Sequence, residues 1–230
     1  MGASRDVVAA SFVNLAPGPL VHGLTMGEMA RYVNAGREQP VELSVVEMAG
    51  WTRDMEWEDT GRSWTPPSPN LRSADAAIAY PGTAFFEATN LSEGRGTEAP
   101  FLVFGAPWME PGSVDVSVPG FDLVATGFTP RDSAASLHPK WVDEDCRGLR
   151  IRVTDESVAE PYRLGVTLVQ ALAAQPEFDW RQNGEVLSRL LGTNAVFEAL
   201  QAGQSADAIV EADRADHEAW RAARRTALLY

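Results

Sequence analysis

Cysteine is all but absent from this chain: Cys146 is the one example in 230 residues. A single thiol excludes an internal disulfide framework and a cysteine-based metal centre. A catalytic thiol needs a basic, partly exposed setting. Cys146 stands between Asp145 and Arg147, which leaves that question open, and is expected to be a plain packed residue. Histidine is nearly as scarce, with three. His138 and His217 lack partners at metal-ligand spacing, so neither a metal nor a cofactor is expected. Positive charge is outnumbered, 19 Lys and Arg against 32 Asp and Glu, for a net charge of -13. That balance argues against nucleic acid or an anionic membrane surface as partner. No apolar run approaches the roughly 20 residues of a membrane helix. The opening Met-Gly-Ala-Ser-Arg-Asp-Val-Val lacks the apolar core of a signal peptide, so no export signal is expected in it, and the compartment stays open. A Gly-x-Ser-x-Gly elbow is missing, as is a Gly-x-Gly-x-x-Gly turn after a strand, which disfavours a serine triad and a dinucleotide site.

What is present is an ordinary globular composition, 45% hydrophobic and 22% charged, enough for one large domain or two modest ones. Within it, residues 80–97 (YPGTAFFEATNLSEGRGT) are unusually dense in polar groups. Two carboxylates (Glu87, Glu93), an amide (Asn90), hydroxyls (Thr89, Ser92) and the Arg95 guanidinium follow a hydrophobic run. Gly94 and Gly96 allow a tight bend. Paired carboxylates can run acid/base chemistry when their environments differ, the usual requirement of glycoside hydrolysis. Arg95 could clamp a ligand carboxylate. The structural alternative is local pairing of Glu93 with Arg95, with Asn90 and Ser92 satisfying turn amides. A phosphate cradle over residues 92–97 is weak, because no Gly-Lys-Ser/Thr follows and Glu93 would repel phosphate.

Trp51, Trp57, Trp64 and Trp108 could offer flat faces to sugar rings or form an aromatic core under a long loop. His22 stands before the first helix, where it could meet a ligand or be structural. Helices are expected over residues 25–34, with Thr25 as cap, Glu28 in the capping-box position and Gly36 past the end, and over 73–79, 163–174, 186–191, 194–201 and 205–225. Strands are expected over 41–48, 84–87, 101–104, 123–128 and 149–153. Residues 51–70 read as irregular. A Pro/Gly/Ser-rich stretch over 110–119 suggests a seam. The fold class is α/β: residues 1–112 as part of a Rossmann-like domain carrying the site loops, then a smaller helix-rich α+β domain over 113–230.

The same residues carry a resemblance. Trp64-Thr-Pro-Pro-Ser-Pro-Asn70, Tyr80-Pro-Gly82, Glu87-Ala-Thr-Asn-Leu-Ser-Glu-Gly-Arg-Gly-Thr97, Pro100-Phe101 and Gly105-Ala-Pro-Trp108 resemble the DUF1343 family, which includes exo-β-N-acetylmuramidases of the NamZ type. His22-Gly-Leu-Thr-Met-Gly-Glu28, Trp51-x-Arg53, Phe128-Thr-Pro130 and the stretch from Thr193 fit in order. The match covers residues 12–230, with Ala88 departing from the family's usual glycine. The resemblance implies release of terminal N-acetylmuramic acid from peptidoglycan fragments, in a cleft between a Rossmann-like domain and a smaller one. The carboxylate pairing in the loop, rather than the resemblance, makes Glu87 and Glu93 the candidate catalytic residues. His22, Trp51, Arg53, Asn70, Tyr80, Asn90, Ser92, Arg95 and Trp108 would be substrate contacts, with Arg95 or Arg53 on the lactyl carboxylate. Family members also carry Gly-Pro-Glu-His-Gly-like and Gln-Asp-Val-Gly-like segments in an N-terminal half, the first holding the expected acid, and neither occurs here. The expectation is therefore a truncated member, paired with a separately encoded N-terminal half or as a homodimer, or else a muropeptide-binding or structural remnant that does not cleave.

Overall fold

The computed structural model describes residues 11–230, so the opening octapeptide lies outside the described residues. The Thr25 signal folds as written. Helix α1 (Met26–Ala35) is capped by the Thr25 hydroxyl, which accepts from the Glu28 amide at 3.3 Å, while the Glu28 carboxylate accepts from the Thr25 amide at 2.8 Å. This reciprocal box satisfies two otherwise orphaned donors. Helix α2 (Ala74–Thr83), capped by Ser73, runs through Pro81. Proline removes one backbone donor and crowds the preceding turn, and the chain leaves α2 as a tighter 3-10 segment, Ala84–Ala88. The strand expected over 84–87 is thus a continuation of α2: its apolar residues Phe85 and Phe86 face the core from a helical backbone.

Strands β1 (Val103–Ala106), β2 (Phe121–Phe128) and β3 (Cys146–Val153) form one antiparallel sheet in the order β1-β3-β2. Val103 opposes Arg150, and Phe121 opposes Val153. Gly105 faces Gly148 at the β1-β3 seam, where a methyl group on Gly148 would sit 2.0 Å from the Phe104 carbonyl oxygen. The Pro/Gly/Ser-rich stretch therefore lies between two strands of the same sheet. The described residues hold a mixed α/β fold with a small antiparallel sheet.

Helix α3 (Pro161–Leu172) buries Leu164, Leu168, Val169 and Leu172, the face its periodicity marks. It crosses α2 closely because Gly82 and Gly165 meet; a methyl group on Gly82 would lie 2.0 Å from the Pro161 carbonyl oxygen. Phe86 stacks on Phe104 at 4.3 Å between centroids, and Tyr162 meets Phe85 edge-on. Helices α4 (Glu185–Leu191), α5 (Ala195–Gln201), α6 (Ala206–Ala212) and α7 (Arg214–Ala223) complete the chain. The single helix expected over 205–225 is two, broken at Asp213, whose carboxylate accepts the Tyr162 hydroxyl at 3.0 Å. Cys146 is buried, and burial together with Glu144 and Asp145 pushes its thiol up to about 12, so it is inert as a nucleophile.

Residues 41–48 do not form a strand, although their alternation fits one. A strand needs a neighbour for its backbone groups, and no described residue supplies one. Among the described residues no helix is long and apolar enough to cross a membrane.

Candidate functional site

The 87–97 loop is fixed to the sheet by paired backbone bonds. The Ser92 amide donates to the Gly105 carbonyl at 2.8 Å, and Gly105 returns the bond at 3.0 Å. Gly94 and Gly96 have φ of +77° and +79°, the left-handed region glycine favours. Side chains there would strike the Val103 and Arg131 carbonyl oxygens at 2.6 and 2.4 Å. Phe101, at φ +64°, is a buried non-glycine residue in the same region. Backbone strain of that kind persists only where the surroundings over-determine it.

On this frame sits an ion cluster. Arg95 donates through Nη2 to Glu87 at 2.6 Å and lies with Nε 3.2 Å from Glu93 Oε1. Its guanidinium covers the face of Phe101 at 4.9 Å, and Tyr80 meets that ring edge-on at 4.8 Å. Burial alone would lower the Arg95 pKa; Glu87 and Glu93 outweigh it and the net shift is upward. Glu93 is buried, and its other oxygen faces the Lys140 ammonium at 3.1 Å, an ion-pair distance without hydrogen-bond alignment. Lys140 also donates to the Phe86 and Leu91 carbonyls at 2.7 and 2.8 Å. Burial lowers the Lys140 pKa, and the attraction of Glu93 offsets only part of that. Burial, then the charge of Glu87, raises that of Tyr80.

The cluster opens into a cavity of about 550 Å³, lined by Thr89, Asn90, Glu93, Arg95, residues 136–141 and Arg181. That volume suits a small ligand such as one or two sugar rings. Asn90 ties the far wall: its amide donates to the Glu177 carbonyl at 2.7 Å, and its oxygen accepts the Asp179 amide at 3.1 Å. Arg181 donates to the Glu87 carbonyl at 2.9 Å. Trp141 donates to the Asn90 carbonyl at 2.8 Å and gives the cavity its aromatic wall.

Among the sequence-derived candidates, the structure brings together Glu87, Asn90, Glu93 and Arg95, with Tyr80 behind Phe101. Ser92 is buried and accepts the Gly94 amide at 3.2 Å. Asn70 is buried and donates to the Ala135 carbonyl at 2.9 Å. Trp108 packs against the apolar core. His22, Trp51 and Arg53 gather elsewhere, at a clasp between the first and last segments. Arg53 pairs with the fully buried Glu28 at 2.5 Å and lies 5.9 Å from the Trp51 ring. Trp51 meets Tyr230 edge-on, and the His22 carbonyl accepts from Trp220 and Arg224 at 2.9 and 2.8 Å. Trp57 and Trp64 pair with each other at 5.0 Å. A separate carboxyl cluster raises Glu156 to about 7, through burial first and then a hydrogen bond and charge from Glu56, with Asp75 and Glu58 adding to it. Among the described residues no group of three His, Cys, Asp or Glu is arranged to hold a metal.

Lys140 and Trp141 escaped the motif reading because they lie more than forty residues from the loop they serve. One signal was available for the first. Lys140 is the only lysine in the chain, against eighteen arginines. A compact ammonium with three rotatable donors does what a planar guanidinium cannot in that space.

The geometry is that of a mixed α/β protein with a charged, open cavity on its surface. The chain belongs to the NamZ family: the model for the C-terminal part of exo-beta-N-acetylmuramidase NamZ matches residues 78–230, and that for its N-terminal part matches residues 1–75. The peptidoglycan beta-N-acetylmuramidase NamZ of Bacillus subtilis (strain 168) is 32% identical over 228 residues, covering 96% of this chain and 53% of that protein. The chain thus spans about half the length of that relative. Two DUF1343 family proteins of Bacteroides fragilis NCTC 9343, known from crystal structures, cover the whole chain and are each covered to 62%. Their TM-scores are 0.80 at 30% identity and 0.86 at 23%; the second likeness is one of fold. The cavity lies wholly within the C-terminal match, whereas His22, Trp51, Arg53 and Asn70 fall in the N-terminal one.

Proposed function

We propose that the cavity bounded by Glu93, Arg95, Lys140 and Arg181 binds the N-acetylmuramic acid end of peptidoglycan fragments, as part of a glycoside hydrolase of the exo-β-N-acetylmuramidase type. The observation that carries the reading is the convergence of Arg95, Lys140 and Arg181 on one sugar-sized cavity. A neutral sugar needs hydroxyl partners only, whereas a muramic acid brings a carboxylate that guanidinium groups recognise. Arg95 has spent Nη2 and Nε on Glu87 and Glu93, which holds its plane fixed. Arg181 is exposed, lines the same cavity and donates to the Glu87 carbonyl. Trp141 supplies the flat face against which a ring packs.

Glu93 and Glu87 serve here as positioning residues. Both Glu93 oxygens face cations and Glu87 holds Arg95, whereas a glycosidase acid must present a proton to the leaving oxygen. Turnover would then draw its acid from a part of the family's N-terminal domain, with residues 1–112 completing a Rossmann-like domain and 113–230 the smaller one. This engagement of both carboxylates also favours a second reading, muropeptide binding without cleavage.

The test is titration of the chain with N-acetylmuramic acid and with N-acetylglucosamine, followed by Trp141 fluorescence. Tighter binding of the acidic sugar is expected, with the preference lost in Arg181→Ala and Arg95→Ala. Equal affinity for both sugars would sink the carboxylate reading. Release of the acidic sugar from a synthetic glycoside separates hydrolase from binder.

A further inference from the structure

Six non-glycine residues among the described ones have left-handed backbone: Phe101, His138, Trp141, Asp143, Gln182 and Asn183. All of them fall in or beside the segments that bound the Arg95 cavity. Backbone strain of this kind gathers at ligand sites, where it fixes groups in place ahead of binding. Residues 182–184 hold it most densely. Gln182 (φ +52°, ψ +43°), Asn183 (φ +50°, ψ +40°) and Gly184 (φ +87°, ψ -7°) are left-handed in succession. Residues other than glycine visit this region singly, because each brings its Cβ close to the following carbonyl oxygen.

Such a turn needs outside support, and it has support on both sides. Upstream, Asn90 joins residues 177–179 at three points. Its backbone amide donates to the Asp179 carbonyl at 3.0 Å, and its side chain binds the Glu177 carbonyl and the Asp179 amide. Downstream, a methyl group on Gly184 would lie 2.4 Å from the Phe197 ring, so glycine is required there. Phe197 in turn meets Trp180 edge-on at 5.4 Å. The Gln182 side-chain oxygen accepts a hydrogen bond from Arg189. Asn183 is exposed and lines a different surface cavity, beside α4 and α5.

The residue held between these supports is Arg181. Its side chain donates through Nη1 to the Glu87 carbonyl at 2.9 Å and makes no other hydrogen bond among the described residues. Nε and Nη2 stay unspent, and their N–H bonds run parallel on one side of the guanidinium. That fork can grip a carboxylate with two bonds. Arg95 has no such pair left, because Glu93 and Glu87 take its Nε and Nη2. We infer that Gln182, Asn183 and Gly184 form a positioning turn for Arg181, and that Arg181 is the residue that reads the ligand's carboxylate. An arginine already held in place gives up less conformational freedom on binding than one on a relaxed loop. The inference rests on the muramic acid reading and narrows its acid recognition to one fork.

The experiment compares Asn183→Gly, Asn183→Ala and Asn183→Val, each alone and combined with Arg181→Ala. Left-handed backbone is tolerated best by glycine and worst by a β-branched residue. Affinity for N-acetylmuramic acid is expected to stay within about twofold in Asn183→Gly. It should fall about tenfold in Asn183→Val, with Asn183→Ala between them. With Arg181→Ala in place the three should bind alike, and N-acetylglucosamine should not separate them in either background. A second readout needs no sugar. The heteronuclear NOE of the Arg181 Nε–H should match the surrounding backbone in the wild-type chain and in Asn183→Gly, and drop in Asn183→Val. Circular dichroism checks that each variant is folded, and Asn183→Ala carries both readouts should Asn183→Val fail to fold. Equal affinities across the series, or a gradient that survives Arg181→Ala, would overturn the inference. So would an Arg181 Nε–H as mobile in the wild-type chain as in Asn183→Val. A wild-type chain that bound neither sugar would sink the muramic acid reading, and the NOE series would still decide whether the turn holds Arg181.

Discussion

From Ala76 onward the buried set is mainly aromatic and aliphatic, with a continuous core running from Ala79 through Phe104 and Leu168 to Val210. From residue 11 to residue 70 the buried positions are Asn14, Pro19, Glu28 and Asn70. The later region is held by apolar burial, which is non-directional and shared among many neighbours. The earlier one is held by a few directed polar bonds. Its Glu28 accepts from Thr25, Arg53 and Leu229, and Arg224 reaches the His22 and Gly23 carbonyls. Cooperative packing fails as a unit; a clasp of directed bonds opens locally. The site belongs to the first kind of region and the unpaired strand residues to the second.

The largest effect is expected where a core ring is removed. Phe86→Ala deletes the partner of Phe104 in a fully buried setting, at a cost of about 3–5 kcal/mol. Urea unfolding followed by circular dichroism should show the whole core transition moving. A shift limited to residues 11–70 would break the comparison.

Lys140→Met comes next. It strips Glu93 of one cation and leaves the Leu91 carbonyl without its donor, while the Phe86 carbonyl keeps the Thr89 amide and hydroxyl, a change in the class that costs about 3 kcal/mol. Lys140→Arg should not rescue it, because the site offers three acceptors to a point charge rather than a fork. Adding Glu93→Gln to Lys140→Met should recover part of the loss, since the stranded charge is gone. A double-mutant cycle with no coupling would show that the two residues are not a unit.

How much of this could be read from the sequence differs by region for the same physical reason. The Thr25 box, the apolar face of α3 and the strands β2 and β3 are local patterns, and they formed close to where their spacing put them. The pairing of Glu93 with Arg95 is also local and was legible as an alternative to a catalytic pair. Residues 84–87 misled because four apolar-rich residues carry too little period to distinguish a strand from a helix tightened after Pro81. Residues 41–48 have the right alternation, but pairing is a property of the neighbour as well. Lys140, Trp141 and Arg181 reach the cavity only through tertiary folding, so no motif announced them. The tryptophans of the 51–70 loop fit either a ligand wall or an aromatic core; Trp57 and Trp64 meet edge-on, and Trp51 meets Tyr230.

Glu28→Gln is expected to cost less than a fully buried pair, below the roughly 3–5 kcal/mol such a loss can reach, because Arg53 keeps a 31% exposed side chain. Its signature is local: hydrogen exchange should quicken in residues 22–53 and 224–230 while the amides of α3 keep their protection. The same clasp makes a pH prediction. Burial raises the Glu28 pKa, but bonds from Arg53, Leu229 and Thr25 outweigh it and hold it at about 2. A depressed carboxyl pKa gives stability that is full above its unfolded value, about 4.5, and is lost as pH falls towards 2. The Glu156 carboxyl, raised to about 7, has the opposite sign: its contact with Glu56 helps below pH 4.5 and is lost as pH rises through 7. Tryptophan fluorescence at graded pH should therefore report loosening of the early region at both extremes, with the core transition unmoved between them.

The smallest effect is the most diagnostic of how the early region is built. Asn34→Ala removes two exposed hydrogen bonds to Val41, each worth about 0.5–1.5 kcal/mol at most and less where water competes. Global stability should change by less than about 1 kcal/mol, within the scatter of surface substitutions. Proteolysis should nonetheless quicken between residues 37 and 47, because the start of the strand segment is no longer tied to α1. A larger global loss would mean that this segment shares the core's cooperativity after all. Quicker cleavage with an unchanged Tm would show that its order comes from its two ends, Asn34 and Tyr230, rather than from the core.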